Sequence, residues 1–326
     1  MGVFVHRRRL GCPGGRVLLR RGSYAVAVTV IRIPDELVAS QLRYNGEAGR
    51  AFVEVLPGRA AEFLERWGLR VTGPSMYGVA SLVLPVVRVA DGTRAVLKLQ
   101  LVDAETEGEW LALRTWAGDG VVRLLDRDAD TGTLLLERLD EGRHLSAVAD
   151  DREAVRILAE LLARLSAVPA PVGGLRRLGD MAEAMLDAAP GLVGRLADEG
   201  ERALLRDCAA AVREVAGEPG DRLLHWDLHY GNVLAAEREP WLAIDPKPLA
   251  GDPGFELYPA LWNRFDPDAV RWRFDALAEA LVGTDRERAR AWTLGRVLQN
   301  GLWDVRGGAV RLRQEQVSIA RNLLAR

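Results

Sequence analysis

One short polar motif constrains this chain more than any other feature. It is the octapeptide HWDLHYGN at residues 225–232, and Asp245 follows it at the end of a second apolar run. An Asp, an Asn five positions later and a second Asp beyond a predicted β-turn-β unit form the set that phosphoryl transfer from a metal nucleotide requires. Asp227 is expected to orient and deprotonate the attacking hydroxyl, whereas Asn232 and Asp245 are expected to bind Mg²⁺ through oxygen. An acidic turn with Asp227 as a local cap is the structural alternative.

The residues around this motif resemble one group of small-molecule kinases. HWDLHYGNVL at 225–234 and AIDPKPLAGDPGFEL at 243–257 are similar to the aminoglycoside phosphotransferases, and among them to the aminoglycoside/hydroxyurea antibiotic-resistance kinases of the streptomycin 6-phosphotransferase type. Three further segments carry the likeness across residues 33–326: GEAGR at 46–50, RAVLK at 94–98 and TGTLLLERLD at 131–140. The resemblance implies an α+β, protein-kinase-like fold with a small β-rich N-lobe and a larger, mainly helical C-lobe. It also implies MgATP-dependent phosphorylation of a hydroxyl on a small molecule.

A strand lysine is the second component that such a kinase needs. Two β-rich runs, 82–89 and 94–101, flank Asp91-Gly92, and Asp-Gly is a strong hairpin signal. Lys98 lies in the second run, which resembles the kinase strand whose ammonium pairs with the nucleotide phosphates and with a helix glutamate. An ordinary surface lysine is the alternative.

The glutamate partner is predicted in a helix over residues 105–116. Leu113 and Trp116 follow Glu109 at helical spacing, so these three side chains share one face. Glu109 is therefore the predicted partner of the lysine. Glu105 lies on the same face and stays the second candidate.

The phosphate-covering turn departs from the protein-kinase pattern. No G-x-G-x-x-G precedes the strand lysine, and no G-x-x-x-x-G-K-[ST] occurs in the sequence. Ser75, Gly78 and Ser81 are candidates for phosphate contact through N–H groups or hydroxyls, although plain hairpin turn chemistry explains them equally well. By the resemblance, Glu137 and Leu139 belong to the connector between the lobes, where the backbone binds the adenine edge. A buried strand that ends in a turn is the alternative for them.

The composition of the chain is that of a compact enzyme. The chain has 326 residues, 48% of them hydrophobic, and a formal net charge of −2, so no basic balance indicates nucleic acid. No run reaches the ~18 apolar residues of a membrane span. Only two cysteines occur, far apart, which indicates a reducing cytoplasm and no zinc site. Residues 1–32 are predicted as an extension, disordered or upstream of the true start, 33–139 as the nucleotide-binding N-lobe and 140–326 as the helical C-lobe with the substrate pocket.

Substrate contacts are predicted from acids and aromatic residues in the C-lobe. Carboxylates attract ammonium and guanidinium groups, and indoles stack on them, which suits a cationic aminoglycoside such as streptomycin. Asp252 is also expected to order the catalytic loop, as in kinase-like folds. A metabolic kinase for another hydroxylated compound and a catalytically silent nucleotide-binding protein are the other hypotheses. The candidate contacts are Asp227, Asp252, Glu256, Trp303 and Asp304.

Overall fold

The computed structural model describes residues 31–281 and 283–325, which form two compact units. Within this part of the chain, the first unit contains residues 31–102 and 124–138, and the second contains residues 103–123 and 139–325 apart from position 282. Residues 1–30, and with them nearly all of the predicted N-terminal extension, lie outside the described residues.

The first unit is one helical segment on an antiparallel sheet. The sheet order is β1-β3-β4-β6-β5, and β2 pairs with β3. Asp91-Gly92 closes the β3–β4 hairpin as predicted: Gly92 has a φ of 75°, and Asp91 Oδ1 accepts a hydrogen bond from the N–H of Thr93 at 2.9 Å. The elements are α1 (Asp35–Arg66), β1 (Leu69–Val71), β2 (Met76–Tyr77), β3 (Ser81–Arg88), β4 (Arg94–Gln100), β5 (Leu124–Arg127) and β6 (Leu134–Glu137).

The core of the first unit lies between α1 and one face of this sheet. Apolar residues of α1, among them Leu56 and Phe63, form one buried cluster with Leu84 and Leu97 of the two central strands. Alternation along each strand places these side chains on one face. The helix is interrupted at Gly46, whose φ of 53° and ψ of −125° are not helical.

The second unit is mainly helical and contains two small three-stranded sheets, ordered β11-β10-β7 and β8-β12-β9. None of the helices in the described ranges combines the length and apolar character that a membrane span needs. The elements are α2 (Glu109–Trp116), β7 (Asp140–His144), α3 (Asp151–Ser166), β8 (Arg176–Arg177), α4 (Leu178–Val193), α5 (Glu199–Val215), β9 (Arg222–Leu224), β10 (Val233–Ala235), β11 (Trp241–Ala243), β12 (Leu249–Gly251), α6 (Tyr258–Trp262), α7 (Val270–Ala280), α8 (Arg286–Arg306) and α9 (Gln314–Leu324).

Segment 103–123 packs in the second unit, whereas the sequence analysis placed it in the N-lobe. A Cβ atom at Gly108 would lie 2.6 Å from Leu175 Cδ2 and 3.0 Å from Pro248 Cγ, so the backbone before α2 lies directly on these residues. Trp116 Nε1 donates to the carbonyl of Leu165 in α3 at 3.0 Å. These contacts join α2 to the helical unit. A second difference is β7, a strand in a region predicted to be helical.

A glycine in the 3₁₀ turn Pro253–Glu256 tests the packing of α8. A Cβ at Gly254 would lie 2.7 Å from Ala289 Cα, a backbone atom that cannot move aside. We expect Gly254→Ala to lower the free energy of unfolding by about 1–3 kcal/mol through overpacking. Gly191→Ala is the control, because Gly191 is an exposed helical residue with no atom within 4 Å of the added Cβ. Urea unfolding of both variants measures the effect, and equal stabilities would contradict the prediction.

Candidate active site

Asp227 and Asn232 lie together in the buried loop between β9 and β10. Asn232 Nδ2 donates to the backbone oxygen of Asp227 at 3.0 Å and lies 3.4 Å from its Oδ2. Asp227 is 7% exposed, and Asn232 is completely buried. The five-residue spacing therefore brings a carboxylate and an amide together. The amide holds the backbone of the carboxylate residue.

The β10–β11 hairpin brings Asp245 to the end of the loop at which Asn232 lies. Val233 pairs with Ala243, and the N–H of Ile244 donates to the carbonyl of Asn232 at 2.9 Å. Asp245 follows with a φ of 58°, an uncommon backbone conformation for this residue type. The Oδ1 atom of Asn232 is buried and has no hydrogen-bond partner in the part of the chain that the structure describes. An amide oxygen without a partner and a nearby carboxylate are the donors that Mg²⁺ prefers, so these residues fit the predicted metal.

Lys247 is a cation that pairs with Asp245 at this end of the hairpin. Its Nζ lies 3.1 Å from Asp245 Oδ2. Burial alone would lower the pKa of Lys247. The carboxylates of Asp245, Asp227 and Glu109 have a larger effect in the opposite direction, so the pKa of Lys247 lies above its ordinary value. Lys247 therefore carries its charge at neutral pH. Glu109, at the start of α2 in the second unit, is one of the carboxylates that raise the pKa of this lysine.

Two histidines of the loop are neutral and have structural roles. His225 Nε2 lies 3.0 Å from the carbonyl of Ile244, which can only accept, so Nε2 carries the proton. Burial lowers the pKa of His225 to about 4. His229 Nδ1 accepts from the N–H of Gly231 at 3.0 Å, and its Nε2 therefore faces Asp227 Oδ1, at 4.0 Å, as an N–H group. Burial also lowers the pKa of His229.

The carboxylate that contacts the catalytic loop is Glu256, and Asp252 binds elsewhere. Glu256 Oε1 accepts from the N–H of Trp226 at 3.2 Å, and the backbone of His225 is a second donor to this side chain. Burial raises the pKa of Glu256 to about 8. Asp252 instead caps the turn that follows it, through the N–H of Gly254 at 2.8 Å, and pairs with Arg288 Nε at 2.6 Å. The loop-ordering contact expected of Asp252 thus belongs to Glu256.

Trp226 and two arginines around it were missed by the sequence analysis. The guanidinium carbons of Arg176 and Arg296 each lie 4.2 Å from the centroid of the Trp226 ring. Arg296 lies on α8 and is 6% exposed. A charged residue between the buried Gly295 and Val297 was the available signal, because an arginine in such a position requires a specific partner.

The remaining substrate candidates differ in their surroundings. Trp303 is 40% exposed and meets the Trp226 ring edge-on at 6.0 Å and 81°. Asp304 accepts from Arg313 at 2.6 Å and from Gln316 at 3.2 Å, both beside or within α9. Trp303 is therefore open to a ligand, whereas the carboxylate of Asp304 is engaged in the fold.

The predicted nucleotide-binding residues are divided between the units. Lys98 is 5% exposed in β4, opposite Val83 and Leu134. The N–H of Gly78 donates to the carbonyl of Ser81 at 2.9 Å, so it serves the turn between β2 and β3. Ser75 precedes β2, Glu137 ends β6, and the boundary between the units falls between Arg138 and Leu139. Lys98 belongs to the first unit and Glu109 to the second; their pairing and the nucleotide contacts stay predictions.

Glu256 predicts a pH dependence of stability. The folded protein keeps the Glu256 proton up to about pH 8, whereas an unperturbed glutamate releases it near 4.5. Between these values the folded state binds more protons than the unfolded state, so stability falls as pH rises, by about 1.4 kcal/mol per pH unit. Glu256→Gln keeps the acceptor oxygen and removes this titration.

We therefore expect the melting temperature of Glu256→Gln, relative to the parent, to increase steadily from pH 5 to pH 8. Glu214→Gln is the control, because Glu214 is exposed on α5. Differential scanning calorimetry of the three proteins at four pH values provides the measurement. A difference that does not change with pH would show that Glu256 is ionised in the folded protein.

Comparison with known proteins places this site in a family. The family model described as aminoglycoside/hydroxyurea antibiotic resistance kinase matches residues 66–308. The chain is 65% identical over 314 residues to a hydroxyurea phosphotransferase of Kitasatospora aureofaciens, with 96% of this chain and 90% of the relative covered. It is 57% identical over 302 residues to a streptomycin 6-kinase of Streptomyces glaucescens, with 90% and 97% covered.

The fold has solved counterparts. A thermostable mutant of aminoglycoside phosphotransferase APH(4)-Ia, in a ternary complex with ADP and hygromycin B, matches with a TM-score of 0.53 at 17% identity and covers 81% of this chain and 98% of that one. The α+β, protein-kinase-like fold predicted from the sequence is thereby confirmed. From the family match and the two relatives we conclude that this chain belongs to the aminoglycoside/hydroxyurea antibiotic resistance kinase family.

Proposed function

We propose that this protein inactivates an antibiotic by transferring the γ-phosphoryl group of ATP to a hydroxyl of streptomycin or a related aminoglycoside. The observation that carries the proposal is the pairing of Asp227 and Asn232, which leaves the amide oxygen Oδ1 without a partner beside Asp245. In this proposal Asp227 is the base, and Asn232 and Asp245 are the two oxygen ligands, at one end of the loop and of the hairpin that follows it. The names of the relatives support the choice of acceptor.

In the proposed reaction, Asp227 receives the acceptor hydroxyl and takes its proton as the oxygen attacks phosphorus. A bond forms between the acceptor oxygen and the γ-phosphorus, the bond from that phosphorus to the bridging oxygen breaks, and ADP leaves. Bound Mg²⁺ would neutralise charge on the phosphate oxygens. Asn232 and Asp245 would hold it through oxygen, and Lys247 stands beside Asp245 as a permanent positive charge.

Hydroxyurea is a second candidate acceptor. The relative with 65% identity is named a hydroxyurea phosphotransferase. Hydroxyurea is small and uncharged and carries a single hydroxyl, so the same base and ligands suffice for its transfer. Coupled ADP release with streptomycin, hydroxyurea and a panel of hydroxylated metabolites separates these acceptors. ATP binding without turnover on any compound would favour the catalytically silent alternative.

Asp227→Asn tests the role of the base. The amide cannot accept the hydroxyl proton, so we expect kcat to fall by about 10²- to 10⁴-fold while ATP affinity stays close to that of the parent. Asp221→Asn, at an exposed aspartate before β9, is the matched control and should retain parental kcat. Steady-state ADP release and calorimetric ATP titration provide the two readouts. Parental kcat in Asp227→Asn would contradict the assignment of the base.

Asn232→Ala tests the proposed metal ligand. Loss of the amide oxygen should increase the Mg²⁺ concentration needed for half-maximal turnover by about tenfold or more, since an oxygen ligand is lost. Mn²⁺ binding in the presence of ATP, followed by electron paramagnetic resonance, gives a readout that does not depend on turnover. Asn322→Ala on α9 is the control, because Asn322 bonds only to a backbone carbonyl in its own helix. Unchanged affinity for both metals would exclude Asn232 as a ligand.

A further inference from the structure

We propose that Trp226 is a positioning residue of the transfer reaction: its indole, held by the guanidinium groups of Arg176 and Arg296, fixes the direction of the Asp227 carboxylate. The inference rests on the proposed function, since it concerns the base of the same reaction. It assigns a task to a tryptophan and two arginines that the mechanism above does not use.

The backbone of Trp226 is held in a conformation that a tryptophan rarely adopts. Its φ is 64°, in the left-handed region, where a residue with a Cβ is strained relative to the right-handed form. Glycine would occupy this position without that cost. A tryptophan here therefore requires compensating contacts from its surroundings.

Both backbone polar groups of Trp226 have partners on distant elements. Its N–H donates to Glu256 Oε1 at 3.2 Å, and its carbonyl accepts from an Nη atom of Arg296 at 3.0 Å. The two peptide planes on either side of this residue are thus fixed. Arg296 makes one of these hydrogen bonds and also covers the ring, so the side chain and backbone of Trp226 are held by the same group.

The ring of Trp226 is covered by cations that are largely removed from water. Both guanidinium carbons lie 4.2 Å from its centroid, and cation–π contacts become stronger as the cation is removed from water. Burial lowers the pKa of Arg296 to about 10, which still leaves it charged at neutral pH, and burial also lowers the pKa of Arg176. Retaining the buried cation of Arg296, next to the partly exposed cation of Arg176, is costly unless they have a specific partner. The indole face is that partner.

Asp227 depends on the residue before it for its direction. Among the described residues its carboxylate makes only long contacts, 3.4 Å from Oδ2 to Asn232 Nδ2 and 4.0 Å from Oδ1 to His229 Nε2. The backbone therefore sets the position of the Cβ atom from which the carboxylate extends. A rotation at Trp226 would move the oxygen that accepts the proton, and a misplacement of about 1 Å costs roughly 10²-fold in rate.

Two substitutions separate positioning from simple core filling. Trp226→Gly removes the ring and relieves the backbone strain, whereas Trp226→Phe keeps an aromatic face for the cations. We expect Trp226→Gly to lower kcat by about 10²-fold with KM for ATP within about twofold of the parent, and Trp226→Phe to recover at least tenfold of that loss. Parental kcat in a folded Trp226→Gly variant would overturn the inference. So would a Phe variant as slow as the Gly variant.

The arginine beside the ring provides a milder variant in case Trp226→Gly does not fold. Arg176 is partly exposed, so Arg176→Gln should fold and lose about tenfold in kcat, the equivalent of one weakened cation–π contact. Arg177→Gln, at the exposed neighbouring arginine in β8, is the control and should match the parent. Equal kcat in the two arginine variants would count against the inference.

A structural readout keeps this test independent of the acceptor. In a crystal structure of Trp226→Gly, or of Arg176→Gln if the former does not fold, we expect the Asp227 carboxylate to be displaced by about 1 Å or more. An undisplaced carboxylate overturns the positioning role even if no acceptor is found. Conversely, a displaced carboxylate in a protein that phosphorylates nothing in the panel would refute the proposed function and leave the positioning role standing.

Discussion

Burial of the His225–Asn232 loop is the constraint on which the rest of the site depends. A loop removed from water must find a partner for each backbone polar group, since an unsatisfied one costs about 1–3 kcal/mol. Here the partners come from remote positions: Glu256 and Arg296 bind the backbone of Trp226, and the N–H of Lys247 donates to the carbonyl of His225 at 2.9 Å. The loop conformation is therefore a property of the whole helical unit.

Charge is balanced in the same small volume. Lys247 and Arg296 are cations close enough to Asp227 to feel its charge, and Asp245 pairs with the lysine. Glu256 would add another carboxylate, but its pKa of about 8 keeps it protonated at neutral pH. It thus binds the loop as a neutral acceptor and adds no negative charge where phosphate oxygens would arrive. Burial makes it difficult to find partners for the backbone polar groups of the loop. It also keeps Glu256 uncharged, because it raises the pKa of that side chain.

Features encoded over a few neighbouring residues could be predicted from the sequence, and features that depend on packing between distant elements could not. The Asp91-Gly92 hairpin and the pairing of Asp227 with Asn232 follow from short spacings and turn chemistry. The loop-ordering contact was given to Asp252, although Glu256 makes it, because only the geometry of the 3₁₀ turn decides which carboxylate faces the loop. The position of Arg296 between Gly295 and Val297 indicates that it needs a partner, but the partner, Trp226, is seventy positions away and no local pattern identifies it.

In the proposed reaction, the chemistry of transfer and the choice of acceptor depend on different groups. A base and metal ligands act on one hydroxyl and do not sense the rest of the molecule, which is consistent with relatives named for acceptors as different as hydroxyurea and streptomycin. Selection must then come from groups at the edge of the loop. Trp303 packs on the fixed Trp226 ring and keeps 40% of its surface exposed, and the Glu105 carboxylate acts on Arg176 nearby. A rigid loop bordered by an open indole allows the acceptor to change while the geometry of the base is retained.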